Sequence, residues 1–213
     1  PQQNVQNSDD KDVKKLNLKH YYGVPASRRT SVEIMGAQTP DARLSFKPSN
    51  NTQATKDATE PEPIEFHNPQ DFVRKVLPYA KKAAEEIGVD PKALVAQAAL
   101  ETGWGKYVIT DSNGSSSNNL FGIKADHRWS GDRATVTTTE YLGGKPQRLV
   151  ADFRAYDSLE ASFKDYVNFL KSHPRYAETL NSAPQAKEYL SQLQQAGYAT
   201  DPDYAEKIAR IMD

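Results

Sequence analysis

Beyond residue 64 the apolar positions fall into helical blocks separated by Pro and Gly. Phe72, Val73, Val76, Leu77, Ala80, Ala83, Ala84 and Ile87 recur every three or four residues, the period of one helix face. Asn68-Pro69 ahead of them reads as an N-cap with Pro at the first helical position, and Gly88 behind them as a left-handed stop. Pro78 lies inside this block and predicts a kink. Asp90-Pro91 repeats the start signal and opens a second helix through Ala93, Leu94, Ala98 and Leu100 to about Glu101. The period then changes. Residues 133–141 (RATVTTTEY) are rich in β-branched side chains, residues 147–156 alternate, and 142–146 (LGGKP) turn between them, so a hairpin is expected. Three more helices follow. One has Asp157 as N-cap and Glu160 as capping-box partner, with Leu159, Phe163, Tyr166, Val167 and Leu170 on one face. The next covers about 184–196 and is stopped by Gly197. The last is opened by Asp201-Pro202 and carries Tyr204, Ile208 and Ile211. Residues 64–213 therefore predict an α+β domain, mainly α.

Residues 1–63 lack such a period. Positions 48–63 (PSNNTQATKDATEPEP) hold no aromatic residue and cannot bury enough surface to offset the entropy of ordering. The expectation is a largely irregular tail and linker over 1–63, with Val32-Glu33-Ile34-Met35 as a possible short strand. The 213 residues amount to more than one domain of about 150 residues, consistent with one domain plus this appendage. Starting at Pro1 rather than Met, the chain is expected to be a piece of a longer protein.

Composition removes several function classes. Lys plus Arg is 27 against 28 for Asp plus Glu, a net charge of −1, which argues against bulk binding to nucleic acid or to an acidic membrane. No apolar run approaches the ~18 residues of a membrane span. The absence of cysteine removes disulfides, thiolate zinc sites and a cysteine nucleophile. His20, His67, His127 and His173 are far apart, without the spacing of a metal site. Neither a phosphate-binding glycine loop nor a serine nucleophile elbow is present.

Carboxylates remain. Glu101 lies seven residues after Leu94 and three after Ala98, at the end of the same stripe and in the last turn of its helix. Partial burial and the negative end of the helix dipole both favour its neutral form. A carboxyl that keeps its proton is what a general acid needs in order to protonate a glycosidic oxygen. Gly103-Trp104-Gly105 follows at once and can present a flat ring to a sugar. Periodicity alone also accommodates a water-exposed helix-end Glu with Trp104 in the core. Glu140 lies on the first strand, on one face with Val136 and Thr138. A hairpin beside a cleft would bring it opposite Glu101. Asp152 and Asp165 compete for that role, and Phe121, Trp129, Tyr156, Tyr198 and Tyr204 are candidate cleft aromatics.

The segments Ala98-Ala99-Leu100-Glu101-Thr102-Gly103-Trp104-Gly105, Asn118-Asn119-Leu120-Phe121-Gly122-Ile123-Lys124, Thr137-Thr138-Thr139-Glu140-Tyr141, Phe153-Arg154-Ala155-Tyr156-Asp157-Ser158 and, at 196–205, AGYATDPDYA together resemble the glycoside hydrolase family 73 β-N-acetylglucosaminidases, and within them the flagellar members. The resemblance covers about residues 66–213. It implies a lysozyme-like fold with a β-hairpin lobe flanking the cleft. It also implies hydrolysis of the β-1,4 bond between N-acetylglucosamine and N-acetylmuramic acid in peptidoglycan. Glu101 matches the family's general acid, Glu140 its second carboxylate, and Tyr198 a Tyr that places the sugar. Asn119, Phe121, Tyr156, Trp104 and Tyr204 match cleft positions. Asp165 ranks third among the acids, since Phe163, Tyr166 and Val167 around it suggest a helix-surface Asp. No cofactor or metal is implied. The implied partners are peptidoglycan glycan strands and, through an upstream domain, flagellar rod proteins, in the periplasm and without nucleic acid. A lytic transglycosylase, a non-flagellar autolysin and a non-catalytic wall-binding module are the alternatives. Glu140 in the family position favours hydrolysis.

Overall fold

In the computed structural model the described residues are 64–142, 145–199 and 201–213, with 138–142 and 145–147 described in their backbone only. The tail and linker expected over 1–63, including the strand at 32–35, lie outside them, as do positions 143–144 of the expected turn. Among the described residues there are six α-helices and two strands: α1 (Pro69–Ile87), α2 (Pro91–Thr102), β1 (Arg133–Leu142), β2 (Lys145–Arg154), α3 (Leu159–Ser172), α4 (Ala177–Asn181), α5 (Ala186–Gln195) and α6 (Tyr204–Met212). A single 3-10 turn, Pro174–Tyr176, leads into α4. The domain is α+β and mainly helical. Among the described residues no helix is long and apolar enough to cross a membrane.

The centre of the fold is α2. Residues 93–100 and Thr102 are all buried, so this helix has no solvent face for most of its length. Its alanines at 93, 96, 98 and 99 leave room for neighbours to approach. Helices α1 and α6 pack against it, α3 packs on α1, and α5 on α6. A helix enclosed on all sides reads as apolar all round. That is why α2 ends with the side chain of Glu101 at the edge of the core.

Helix ends follow the local signals closely. Asn68 Oδ1 accepts from the Asp71 amide at 2.8 Å, an N-cap, and Asp71 Oδ2 accepts from the His67 amide at 3.2 Å. Gly88 and Gly103 close α1 and α2 in the left-handed region, at φ 73° and 59°. Helix α1 runs on through Pro78. Other expectations shift, among them the start of α6, which begins at Tyr204 after Asp203 and without a side-chain cap rather than at Asp201-Pro202. The N-cap of α3 is Ser158, whose hydroxyl accepts from the Ala161 amide at 3.1 Å, and not Asp157. Glu160 pairs instead with Lys82 of α1 at 2.8 Å. The strands also reach further toward each other than their composition suggested. They pair antiparallel from Arg133↔Arg154 to Leu142↔Lys145, because a pleated ladder continues for as long as backbone partners face one another.

After α2 the backbone makes an unusual stop. Gly103, Trp104 and Gly105 are consecutive left-handed residues, at φ 59°, 62° and 81°. For Trp104 this conformation costs roughly 1–2 kcal/mol. It is held by the Trp104 amide on the Ala99 carbonyl (3.0 Å), the Tyr107 amide on the Thr102 carbonyl (2.8 Å) and the Gly105 amide on Thr102 Oγ1 (2.9 Å). A Cβ at Gly105 would lie 2.2 Å from the Phe66 ring. Gly105→Ala is therefore expected to destabilise the domain by about 3 kcal/mol, as strain and overpacking add. A urea midpoint unchanged from the wild type would contradict this.

Candidate active site

Glu101 is the next-to-last residue of α2 and is half-buried. Its Oε1 accepts a hydrogen bond from the hydroxyl of Tyr204, the first residue of α6, at 2.7 Å. Its Oε2 lies against the turn at Gly122, where a Cβ would be 3.5 Å away. Gly122 has φ 65°, a conformation that suits glycine. The carboxyl thus sits between the start of α6 and the turn that precedes the hairpin.

That turn is stapled from several directions. Asn119 Nδ2 donates to the carbonyls of Ile123 and Arg154, both at 2.9 Å, and Asn119 Oδ1 accepts from the Ile123 amide at 3.1 Å. The Tyr198 hydroxyl donates to the Phe121 carbonyl at 2.8 Å. The Leu120 amide donates to Ser162 Oγ on α3 at 3.3 Å. The Arg154 amide on the Ile123 carbonyl and the Ala125 amide on the Asp152 carbonyl then tie the turn to the end of β2. One folded unit therefore carries both the Glu101 neighbourhood and the base of the hairpin.

Glu140 lies on β1 opposite Gln147. Strand alternation puts it on the face of Thr138 and Val136, and its side chain lies outside the described residues. Asp152 is at the hairpin base, where Thr135 Oγ1 donates to it at 2.7 Å and Arg133 pairs with it at 3.7 Å.

The aromatic candidates divide into two groups. Tyr198 and Tyr204 are stacked, with ring centroids 5.9 Å apart, and both are buried. Burial and the Glu101 charge push both phenols well above the ordinary tyrosine range, so each keeps its proton and donates. The ring of Phe121 is wholly enclosed, stacked on Tyr166 at 4.0 Å and edge-on to Phe163. It offers the site its carbonyl and no ring face. The Trp104 indole is likewise packed edge-on against Phe72, because the left-handed stop turns it inward toward α1.

The second group surrounds Arg154 at the end of β2. Arg154 Nη1 donates to both Asp165 oxygens, at 2.9 and 3.1 Å, and its guanidinium stands 4.6 Å from the Trp129 ring. The Tyr156 hydroxyl donates to Asp165 Oδ2 at 2.7 Å, and its ring meets Trp129 edge-on. Asp165 is therefore not the solvated helix-surface residue its neighbours suggested. Arg154, at the end of β2, reaches α3 and covers it. Asn119 joins the two groups through its bond to the Arg154 carbonyl, with every polar atom of its side chain engaged to backbone.

One residue escaped the pattern reading altogether. Gln97 is fully buried in α2, donates to the Tyr204 hydroxyl at 3.0 Å and accepts from the Tyr166 hydroxyl at 2.7 Å. Its signal was present in the sequence: one amide inside the apolar run from Ala93 to Leu100. Among the described residues no group of three His, Asp or Glu side chains converges as a metal site.

Comparison with known proteins gives a consistent picture. Residues 77–213 match the Glucosaminidase family model, described as mannosyl-glycoprotein endo-beta-N-acetylglucosaminidase. The chain is 54% identical over 146 residues to the peptidoglycan hydrolase FlgJ of Pseudomonas aeruginosa, covering 68% of this chain and 36% of that one. Across this and two Vibrio relatives the match spans 36% to 51% of the relative's length. Among solved structures, a mutant peptidoglycan hydrolase from Sphingomonas sp. A1 superposes with a TM-score of 0.62 at 46% identity, over 67% of this chain and 91% of that one. A C-terminally truncated glycoside hydrolase domain of Salmonella typhimurium FlgJ superposes with a TM-score of 0.58 at 41% identity, over 68% and 95%.

Proposed function

The chain belongs to the glucosaminidase family, and from that membership we propose that it hydrolyses peptidoglycan glycan strands, cutting the β-1,4 bond between N-acetylglucosamine and N-acetylmuramic acid. The observation that carries the reading is the seat of Glu101. It is a half-buried carboxyl at the end of an enclosed helix, oriented by the Tyr204 hydroxyl and set against the Gly122 turn. Glu101 gives its proton to the departing glycosidic oxygen. Glu140, on β1, is the second carboxylate, acting on the developing positive charge or on the attacking water. Tyr198 and Asn119 serve the site by fixing the turn through the Phe121, Ile123 and Arg154 carbonyls, and Tyr204 serves it through Glu101. Tyr156, packed edge-on against Trp129, borders the sugar site from the side of the hairpin base. The likeness to proteins named FlgJ supports action on the wall in the periplasm, where an opening lets the flagellar rod pass.

Mass spectrometry of digested sacculi tests the reaction. Reducing N-acetylglucosamine ends are the expected product. Anhydro-muramic ends would overturn the reading in favour of a lytic transglycosylase, and binding without soluble fragments in favour of a wall-binding module.

A further inference from the structure

Behind Glu101 runs a buried chain of hydrogen bonds. Tyr189 Oη and Tyr166 Oη are 2.6 Å apart, Tyr166 donates to Gln97 Oε1 at 2.7 Å, Gln97 Nε2 donates to Tyr204 Oη at 3.0 Å, and Tyr204 donates to Glu101 Oε1 at 2.7 Å. It links α5, α3, α2 and α6, and its three tyrosines and Gln97 are almost completely enclosed. A phenol has one proton to give, and that of Tyr204 goes to Glu101 Oε1. Donation by Tyr204 to Glu101 therefore requires Gln97 to donate to Tyr204. The amide must then turn its oxygen to Tyr166, whose own proton is committed to it, which leaves Tyr189 as the donor to Tyr166. Every link has one direction, and the chain ends on a single oxygen of the candidate acid.

We infer that Gln97, acting through Tyr204, is a positioning residue that holds Oε1 of Glu101 as an acceptor and so assigns the acidic proton to Oε2, the oxygen facing the Gly122 turn. This rests on the reading of Glu101 as general acid. The bond from Tyr204 also stabilises the carboxylate left after proton transfer. Gln97 is the element that gives the chain its polarity. A methionine of similar length neither donates to Tyr204 nor accepts from Tyr166, and the Tyr204 hydroxyl then loses the partner that orients it and polarises its proton.

The test is the titration of the Glu101 carboxyl carbon by NMR in isotope-labelled protein, beside the pH profile of kcat/KM, whose basic limb reports the free-enzyme acid. Tyr204 and Tyr198 both feel the Glu101 charge. Glu140, on β1, is left intact in all variants. Tyr204→Phe is expected to raise the Glu101 midpoint by about one pH unit and to carry the basic limb with it. Gln97→Met and Tyr166→Phe are expected to give smaller shifts in the same direction, with KM unchanged. A purely structural role would lower the melting temperature and leave the midpoint in place. An unmoved midpoint in Tyr204→Phe overturns the proposal, as does an unmoved midpoint in folded Gln97→Met. Where Gln97→Met does not fold, Tyr166→Phe, which keeps its ring in the core, decides. The NMR midpoint needs no activity. A chain that titrates as expected in a protein that cuts no wall would sink the reading of Glu101 as acid and leave the hydrogen-bond direction standing.

Discussion

Glu101→Gln is expected to leave a folded domain that lyses sacculi about a thousand-fold more slowly, the usual scale for losing a positioned general acid. The substitution conserves shape. The amide oxygen still accepts from Tyr204, so the bond that now holds Oε1 at 2.7 Å survives, and α2 keeps its enclosed packing. What disappears is the acidic proton, because an amide does not give one to a glycosidic oxygen. The melting temperature should stay close to the wild type's while the turbidity of a sacculus suspension stops falling. Wild-type lysis by Glu101→Gln would end the case for this carboxyl. Glu140→Gln, examined in parallel, separates the two acids: its product end groups should be unchanged while its rate falls.

The second large effect is on stability. Asp165→Ala removes the acceptor of the Arg154 Nη1 ion pair and of the Tyr156 hydroxyl at once. Arg154 is 8% exposed, and its Nε already lacks a partner among the described residues. Truncating Asp165 would leave a nearly buried guanidinium with little beyond the Trp129 and Phe169 rings. Breaking one side of such a pair costs about 3–5 kcal/mol, roughly a 10 °C drop in melting temperature for a domain of this size. The molecules that remain folded at low temperature should still cleave, since this carboxylate is committed to Arg154 Nη1 and the Tyr156 hydroxyl. A variant with unaltered melting and no activity would instead place Asp165 in the chemistry.

Helix starts and stops were legible because they are local. Asn68-Pro69, Asp90-Pro91 and Gly88 act within one turn of their own backbone, and the structure uses them as read. The α3 cap moved by one residue because Asp157 and Ser158 both suit the role, and it is the Ser158 hydroxyl that reaches the Ala161 amide. The 3-10 turn and α4 were missed: at three and five residues, each is too short to show a period. The site was legible in its residue types and not in their arrangement. Spacing puts Glu101 at the end of its helix, and only the family resemblance marks it as the candidate acid. Phe121, Trp104 and Asn119 were expected beside a sugar, yet their side chains are turned into the core or committed to backbone. Whether an aromatic ring faces inward depends on partners far along the chain, as Tyr166 is for Phe121.

The sequence alone determined the mainly helical plan, the single hairpin and the position of Glu101 at the end of an apolar helix, because caps, periods and breakers operate over a few residues. Only the tertiary structure decided that Tyr204, 103 positions after Glu101, would orient that acid, that Gln97 would stand behind it, and that Arg154 would claim Asp165. Those pairings join side chains from separate elements. They form because a buried polar group must find a partner wherever the packing of helices supplies one.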